Sequence, residues 1–197
     1  MIGQEDTVVT DKDRNRDVLM VTSMREILIR LSDSTPLHRD NFLSLVKKGV
    51  YDSLLFHRVI EKFMIQGGDP DSKNAEPGMP LGNGGFPYTV PAEFRKTLFH
   101  KRGVIAAARN ANPEKASSST QFYITQGKVY TNESLDSLAR ARLNGRVFTE
   151  EERKAYTTIG GVPFLDQNYT VFGEVIRGLE VIDKIAAVET STGRDRD

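Results

Sequence analysis

The chain has 197 residues, which is long enough for one domain with a sizeable hydrophobic core. Its 27 basic and 27 acidic residues cancel, so there is no electrostatic reason to expect binding to nucleic acid or to an anionic membrane. The absence of cysteine excludes thiol nucleophiles, disulfides and thiolate metal sites, and it leaves either redox compartment open.

The amino-terminal segment is polar, and we expect residues 1–16 to form a flexible leader before a single domain that spans 17–197. The leader lacks the apolar core of a signal peptide, and no apolar run in the chain approaches the ~18 residues that a membrane span needs. The compartment stays open between the cytoplasm and, for an exported protein whose signal peptide has been removed, the periplasm.

Two strands and a helix open the domain. Residues 18–31 alternate between apolar and polar side chains, which predicts two strands around a turn at 23–25. The next apolar stripe has helical spacing, and we expect a helix at about 36–48, with Thr35 as its N-cap and Gly49 after its end.

The densest signal lies in residues 56–69, which read FHRVIEKFMIQGGD. Two short apolar runs flank a charged corner, and this pattern predicts a strand, a tight turn and a second strand. Met64 and Gln66 would share a face that mixes apolar surface with a side-chain amide. Arg58 is costly in such a strand unless it is paired or faces a cleft. An edge strand with a solvated arginine would also fit, so the residue types alone leave both interpretations open.

A long loop is predicted at 69–91, where glycine, proline and asparagine are frequent. The spacing of Asp69, Asp71 and Asn74 is faintly similar to that of a calcium-binding loop, but the glycine and the closing glutamate of that motif are missing. The glycines do not form a phosphate-binding loop, because no Gly-Lys-Ser/Thr follows them.

Short strands are predicted at 104–108 and 121–125, on either side of a polar loop. In the second strand, Gln121 and Tyr123 share a face, which again places an amide beside an aromatic ring. The serine run at 117–119 is typical of a solvated loop, since no Gly-x-Ser-x-Gly motif surrounds it.

Residues 128–159 differ in character, because two charged segments with helical spacing are separated by Gly145. We expect a helical hairpin inserted between two strands. Two arrangements are open, a connection that packs only on itself or a flap over a substrate cleft. Beyond it, a strand is predicted at 169–175 and a last helix at about 179–186, followed by a polar tail.

Four motifs together resemble the cyclophilin family of peptidyl-prolyl cis-trans isomerases. They are the block at 56–69, the pair Ala108-Arg109, the triplet Gln121-Phe122-Tyr123 and the segment from Phe164 to Gly173. With the two helices that flank them, the resemblance covers about residues 17–127 and 160–189. It implies a mainly β fold, a closed antiparallel β-barrel of about eight strands, or seven here, capped by two α-helices, with the helical hairpin outside it.

The implied reaction is rotation about the peptide bond before proline, which assists protein folding. It breaks no covalent bond, so no cofactor or metal is expected, and the three histidines show no paired ligand spacing. By resemblance, Arg58 is the catalytic residue and donates a hydrogen bond to the prolyl nitrogen of the twisted amide. The substrate-binding residues implied in the same way are Phe63, Met64, Gln66, Ala108, Arg109, Gln121, Tyr123, Phe164, Leu165 and Tyr169. The expected partners are proline-containing polypeptides, and the expected state is a monomer.

The chain departs from the family pattern at three site positions. Phe164 stands where many members have tryptophan, which implies reduced affinity for cyclosporin, and Tyr169 stands where many have histidine. Tyr123 replaces a phenylalanine of the proline cup, so its hydroxyl must find a partner or water. The family also has a strand after the last helix, whereas residues 190–197 are polar, which predicts either a missing strand or an open sheet edge.

Two other functions are weighed against isomerisation. A proline-binding scaffold or chaperone module would keep the apolar cup and could lose Arg58. A small-ligand barrel would need a closed interior cavity, whereas the apolar faces predicted here are dense enough to fill the interior.

Overall fold

The computed structural model describes residues 7–190, and within that range it contains nine strands and five α-helices. The strands are β1 (Val18–Thr22), β2 (Arg25–Leu31), β3 (Arg58–Ile60), β4 (Met64–Gly67), β5 (Thr89–Val90), β6 (Val104–Ala107), β7 (Ser117–Ser118), β8 (Phe122–Thr125) and β9 (Val171–Arg177). The helices are α1 (Asp11–Arg14), α2 (Pro36–Lys47), α3 (Asn132–Arg142), α4 (Glu150–Thr158) and α5 (Leu179–Ala186).

Seven strands form one antiparallel sheet in the order β1-β2-β9-β6-β8-β4-β3, and β5 pairs with β7 beside it. Helices α2 and α5 supply apolar side chains to the core on one face of the sheet. This architecture confirms the predicted mainly β fold with two capping helices. The sheet ends at β1 and β3, so within the described residues it stays open along those two edges. None of the described helices has the length and apolarity that crossing a membrane requires.

Side-chain alternation assigns the two faces of the sheet to two apolar clusters. Ile65, Ile124 and Ile105 pair across three neighbouring strands and are completely buried in the main core with residues of α2 and α5. Met64 and Tyr123, one residue away along their strands, point to the opposite face and belong to a smaller cluster. The strand register therefore determines which side chains face the helices and which lie on the opposite face, where they can form a binding site.

The helix predicted at about 36–48 is α2, and Thr35 occupies its N-cap position as predicted, but the Thr35 side chain does not cap it. Instead, the carboxylate of Glu93 accepts hydrogen bonds from the backbone amides of Leu37 at 3.1 Å and His38 at 2.9 Å. A carboxylate is favourable at this end of a helix, because the free amides and the helix dipole attract negative charge.

The predicted leader differs from the structure where the structure describes it. Residues 1–6 lie outside the described residues. Helix α1 then begins with a capping box and is tied to α2 by Arg14, which bonds Asp40 at 2.9 Å, and by Lys47, which bonds Asp13 at 2.8 Å. Within the predicted leader, residues 11–14 therefore form a short helix that ion pairs hold against α2.

The carboxyl-terminal elements follow the prediction closely. The last strand, β9, begins two residues later than predicted, and α5 is the predicted last helix. Residues 191–197 lie outside the described part of the chain, so the expectation of a missing strand or an open edge there stays a prediction.

The predicted helical hairpin at 128–159 consists of α3 and α4, and it has its own apolar cluster. Tyr156 is completely buried in this cluster, and Phe99, from outside the hairpin, packs against it with ring centroids 5.5 Å apart. The base of the hairpin is closed by the pairing of Lys128 with Gly161. The expectation that it packs only on itself is therefore wrong, because it packs onto the domain.

Candidate functional site

A cleft of about 370 Å³ opens over the smaller apolar cluster of the sheet. Nine of the eleven site residues predicted from the sequence line it: Arg58, Phe63, Met64, Gln66, Ala108, Arg109, Tyr123, Leu165 and Tyr169. Its lining also includes His57, Leu81 and Gly82, which the sequence did not single out. The remaining two predicted residues, Gln121 and Phe164, lie directly beside it and contact residues of the lining.

The polar side chains of the cleft form a row across three strands. Arg58 on β3 is paired with Gln66 on β4, and Gln66 is paired with Tyr123 on β8. Directly opposite residues of antiparallel strands point to the same face, so these three side chains stand next to one another. The arginine that looked costly in an apolar strand therefore faces a cleft and is half-buried in its wall.

A chain of amide hydrogen bonds orients the Arg58 guanidinium. Its Nη1 donates to Gln66 Oε1 at 3.4 Å, and Gln66 Nε2 donates to Gln121 Oε1 at 3.1 Å. Gln121 Nε2 in turn donates to the carbonyl oxygens of Gly82 and Gly84, at 2.9 and 2.8 Å. Among the described residues, Gln66 is the one hydrogen-bond partner of this guanidinium, so most of its five N–H donors remain available to a ligand.

An apolar cup lies beside the guanidinium. Its walls are Phe63, Met64, Tyr123 and Leu165, all of which belong to or pack against the smaller apolar cluster. Phe164 backs this wall, since its ring stacks on Phe63 with centroids 5.8 Å apart. Its four side chains present apolar surface to the cleft, which suits a small ring such as that of proline.

Tyr169 and Arg109 close the other end of the cleft. The Tyr169 ring meets Tyr123 edge-on at 5.9 Å, and the Arg109 guanidinium lies 4.6 Å from the centroid of the Tyr169 ring. Arg109 Nε also donates to the backbone carbonyl of Asn168 at 2.8 Å. These contacts hold a positive charge at the mouth of the cleft.

A second groove of about 250 Å³ adjoins the cleft and shares part of its lining. The shared residues are Gln66, Gly82, Ala108 and Arg109. A ligand that fills the cup and extends along the surface would pass these residues and enter the groove.

The Tyr123 hydroxyl has a buried partner that sequence reasoning missed. It lies 2.8 Å from Nε2 of His100, whose Nδ1 lies 2.9 Å from Asp166 Oδ1. Burial raises the pKa of Tyr123, so the phenol stays protonated and shares a hydrogen bond with Nε2. Burial alone would raise the pKa of Asp166, but hydrogen bonds from His100 and Tyr156 lower it, so the carboxylate accepts from Nδ1–H. The signal in the sequence was a tyrosine hydroxyl that needed a partner.

Ser117, His38 and Glu93 are linked by hydrogen bonds in the order of a hydrolase triad, but they do not form a catalytic site. Ser117 Oγ lies 2.8 Å from His38 Nε2, and Glu93 Oε2 lies 2.6 Å from His38 Nδ1. The three residues are 1%, 3% and 5% exposed, so no substrate reaches the hydroxyl. The cluster ties α2 to β7. Within residues 7–190, no group of three or more His, Asp and Glu side chains is placed to hold a metal ion.

The sequence matches a family model described as cyclophilin type peptidyl-prolyl cis-trans isomerase over residues 18–197. A Staphylococcus haemolyticus protein, named provisionally as a peptidyl-prolyl cis-trans isomerase, is 35% identical over 176 residues, which cover 89% of this chain and 82% of that protein. A provisionally named bifunctional phosphatase/peptidyl-prolyl cis-trans isomerase of Streptococcus pyogenes is 36% identical over 168 residues. That match covers 83% of this chain but 32% of the longer relative.

Solved structures show the same fold. A cyclophilin type peptidyl-prolyl cis-trans isomerase of Cryptosporidium parvum, crystallised in the presence of the dipeptide ala-pro, has a TM-score of 0.62 and 22% identity, covering 90% of this chain and 89% of that chain. Cyclophilin AquaCyp293 of Hirschia baltica has a TM-score of 0.56 and 19% identity, covering 86% and 67%. At these identities the likeness concerns the fold.

Proposed function

This chain belongs to the cyclophilin-type peptidyl-prolyl cis-trans isomerases, and we propose that it rotates X-Pro bonds of polypeptide substrates in the cleft around Arg58. The barrier to this rotation is roughly 18–20 kcal/mol, because the peptide C–N bond has partial double-bond character. The uncatalysed reaction takes tens to hundreds of seconds, long enough to limit folding. An isomerase therefore assists the folding of proteins whose X-Pro bonds start in the wrong isomer.

Arg58 is the proposed catalytic residue. Twisting the amide breaks its resonance and localises a lone pair on the prolyl nitrogen. A donor aimed at that nitrogen stabilises the twisted amide more than the planar one, and this difference is what accelerates rotation. The observation that carries the proposal is a half-buried guanidinium, oriented by Gln66 and rich in unused donors, at the edge of an apolar cup.

The cup and the groove are proposed to hold the two sides of the rotating bond. Proline would fill the cup formed by Phe63, Met64, Tyr123 and Leu165, while Gln66 bonds the substrate backbone. The residues before proline would run past Ala108 and Arg109 into the groove. The dipeptide ala-pro present with the Cryptosporidium relative is consistent with a proline-containing ligand.

Two finer proposals concern partners and assembly. Phe164 is 38% exposed beside the cup, at the position where tryptophan supports cyclosporin binding in the family, so we expect cyclosporin to bind weakly. We also expect the active form to be a monomer built from one domain at 17–197.

The test is a protease-coupled isomerisation assay on a short X-Pro peptide with the wild type, Arg58→Ala and Arg58→Lys. We expect Arg58→Ala to lower kcat by about 100- to 1000-fold while peptide affinity changes only a few-fold, because the lost donor acts mainly on the twisted amide. Lysine should not restore kcat, since it lacks the planar fork of donors. Arg177→Ala, an exposed arginine at the end of β9, is the matched control and should keep wild-type kcat.

Equal losses of turnover and peptide affinity in Arg58→Ala would contradict the transition-state role. A folded wild type that binds the peptide without turning it over would favour the proline-binding scaffold instead.

A further inference from the structure

The helical insertion reaches a buried carboxylate behind the cleft. Tyr156 OH on α4 donates to Asp166 Oδ2 at 2.6 Å, and Arg146, in the loop between the two helices, donates to the same oxygen at 3.0 Å. The Asp166 side chain is 1% exposed. Arg146 is itself held by Glu152 Oε1 at 2.7 Å, and Glu152 caps α4 through the amide of Thr149. The insertion thus supplies two oriented donors to one buried oxygen.

The other oxygen of Asp166 faces the active site. Its Oδ1 accepts from the backbone amide of His100 at 2.7 Å and lies 2.9 Å from His100 Nδ1. His100 Nε2 lies 2.8 Å from the hydroxyl of Tyr123, whose ring is a wall of the cup. The His100 and Tyr123 rings are also nearly parallel, at 13°. A continuous chain of hydrogen bonds therefore runs from the insertion to the cup.

The insertion holds the opposite wall as well. Arg146 Nη1 donates to the carbonyl of Pro163 at 3.3 Å, at the start of the short turn Pro163–Leu165. This turn carries Leu165, which lines the cleft, and Asp166 follows it directly. No residue of 128–159 is among the described residues that line the cleft. The insertion is therefore behind the cup and is not a flap over it.

We propose that the insertion is a positioning element of the active site, in which Arg146 and Tyr156 orient the Asp166–His100 pair and, through it, the Tyr123 wall of the proline cup. The proposal rests on the proposed function of the cleft, because the orientation of Tyr123 matters only if the cup holds the proline. Its physical basis is that a buried carboxylate satisfied from both sides has one favourable orientation. Removing the donors on one side leaves the carboxylate free to move, and His100 and Tyr123 with it.

The first test compares Tyr156→Phe with Tyr130→Phe in the isomerisation assay. Both tyrosines belong to the same apolar cluster, and only the hydroxyl of Tyr156 bonds Asp166. We expect Tyr156→Phe to lower kcat about tenfold with KM within about twofold, because small displacements of positioning groups cost rate more than ground-state binding. Tyr130→Phe should retain wild-type kcat. Wild-type kcat in Tyr156→Phe would overturn the proposal.

A double-mutant cycle separates positioning through the chain of hydrogen bonds from general loosening of the fold. Tyr123→Phe removes the hydroxyl that links the cup to His100. In that background, Tyr156→Phe should therefore change kcat less than about twofold. Equal fold-changes in both backgrounds would overturn the proposal.

The remaining outcomes are also distinguishable. Arg146→Gln, at a residue only partly buried, replaces Tyr156→Phe if circular dichroism shows that the latter is unfolded, and the same tenfold loss is expected. An active wild type with an unimpaired Arg146→Gln or Tyr156→Phe leaves the isomerase assignment standing and overturns the positioning role alone. An inactive wild type overturns the proposed use of the cleft first, and the positioning role falls with it.

Discussion

Gly68 follows strand β4 in a backbone conformation that only glycine adopts easily. Its φ is +88°, and a Cβ added there would collide with the backbone carbonyl oxygen of Thr120. Thr120 directly precedes Gln121, the middle member of the amide chain that leads to Arg58. This close approach brings the end of β4 against the segment that orients Arg58, the proposed catalytic residue.

We expect Gly68→Ala to lower the free energy of unfolding by about 3 kcal/mol or more, from left-handed backbone strain plus overlap with a backbone atom that cannot yield. Gly78→Ala is the matched control, because Gly78 has φ of +83° and nothing within 4 Å of an added Cβ. It should cost only the backbone strain, about 1–2 kcal/mol. Urea denaturation of both variants measures the difference, and equal losses would show that the contact with Thr120 relaxes without cost.

The side chains that line the cleft could be predicted from the sequence, because they lie in contiguous motifs. Arg58, Met64 and Gln66 lie within one block, and alternation along a strand places the last two on one face. The supporting residues could not be predicted in this way. His100 is 23 residues from Tyr123 and 66 residues from Asp166, so only the folded sheet brings them together.

Among the elements, helix α2 shows how a distant residue completes a local structure. Its position was predictable from the apolar stripe, but its cap, Glu93, is 55 residues away from His38. The same carboxylate also bonds the His38 ring at 2.6 Å, and this ring in turn bonds Ser117. The N-terminus of α2 therefore depends on a buried histidine that must keep its donors and acceptors in one arrangement.

This arrangement predicts a pH dependence of stability. Burial lowers the pKa of His38 below its usual 6.5, although the Glu93 carboxylate opposes this. Below pH 6.5 the histidine binds a proton in the unfolded chain but not in the folded one. The contribution of His38 to the free energy of unfolding is therefore fully present above pH 6.5 and is lost as the pH falls below it. One such group changes the free energy of unfolding by at most about 1.4 kcal/mol per pH unit.

Urea denaturation of the wild type and His38→Gln between pH 8 and pH 5 tests this. The variant is expected to be less stable at pH 8 but to lose less free energy of unfolding on acidification, because the titrating group has gone. His57 and His100 are present in both proteins, so the difference in slope belongs to His38 together with the Glu93 carboxylate that it bonds. Parallel slopes would show that its protonation is not linked to folding.

Across residues 7–190, the apolar side chains of the interior form three clusters. One lies between the sheet and helices α2 and α5, one lines the cleft on the other face, and one fills the helical insertion. The sequence could predict the hairpin from helical spacing on either side of Gly145, but not where it packs. That depends on Phe99, Asp166 and His100, whose roles appear only when the sheet has brought them behind the cleft.

Deletion of residues 131–157 is expected to leave a folded sheet that is less stable and less active. The pairing of Lys128 with Gly161 holds the two ends of the deletion close together, and Val129, Tyr130 and residues 158–160 would connect them. No strand of the seven-stranded sheet is lost, and the two clusters that cover its faces contain no deleted residue. The variant should therefore keep a β-rich circular dichroism spectrum and a cooperative denaturation.

The loss of stability should come from the part of the domain that the hairpin covers. Phe99 would lose the Tyr156 ring, and the buried Asp166 would lose both donors from the insertion, which together we expect to lower the free energy of unfolding by about 2–5 kcal/mol. An unfolded deletion variant would make the hairpin part of the folding core. A stable variant with wild-type kcat would show that Asp166, His100 and Tyr123 keep their geometry unaided. A stable variant whose kcat falls at least as far as that of Tyr156→Phe would show that the hairpin holds the cup from behind.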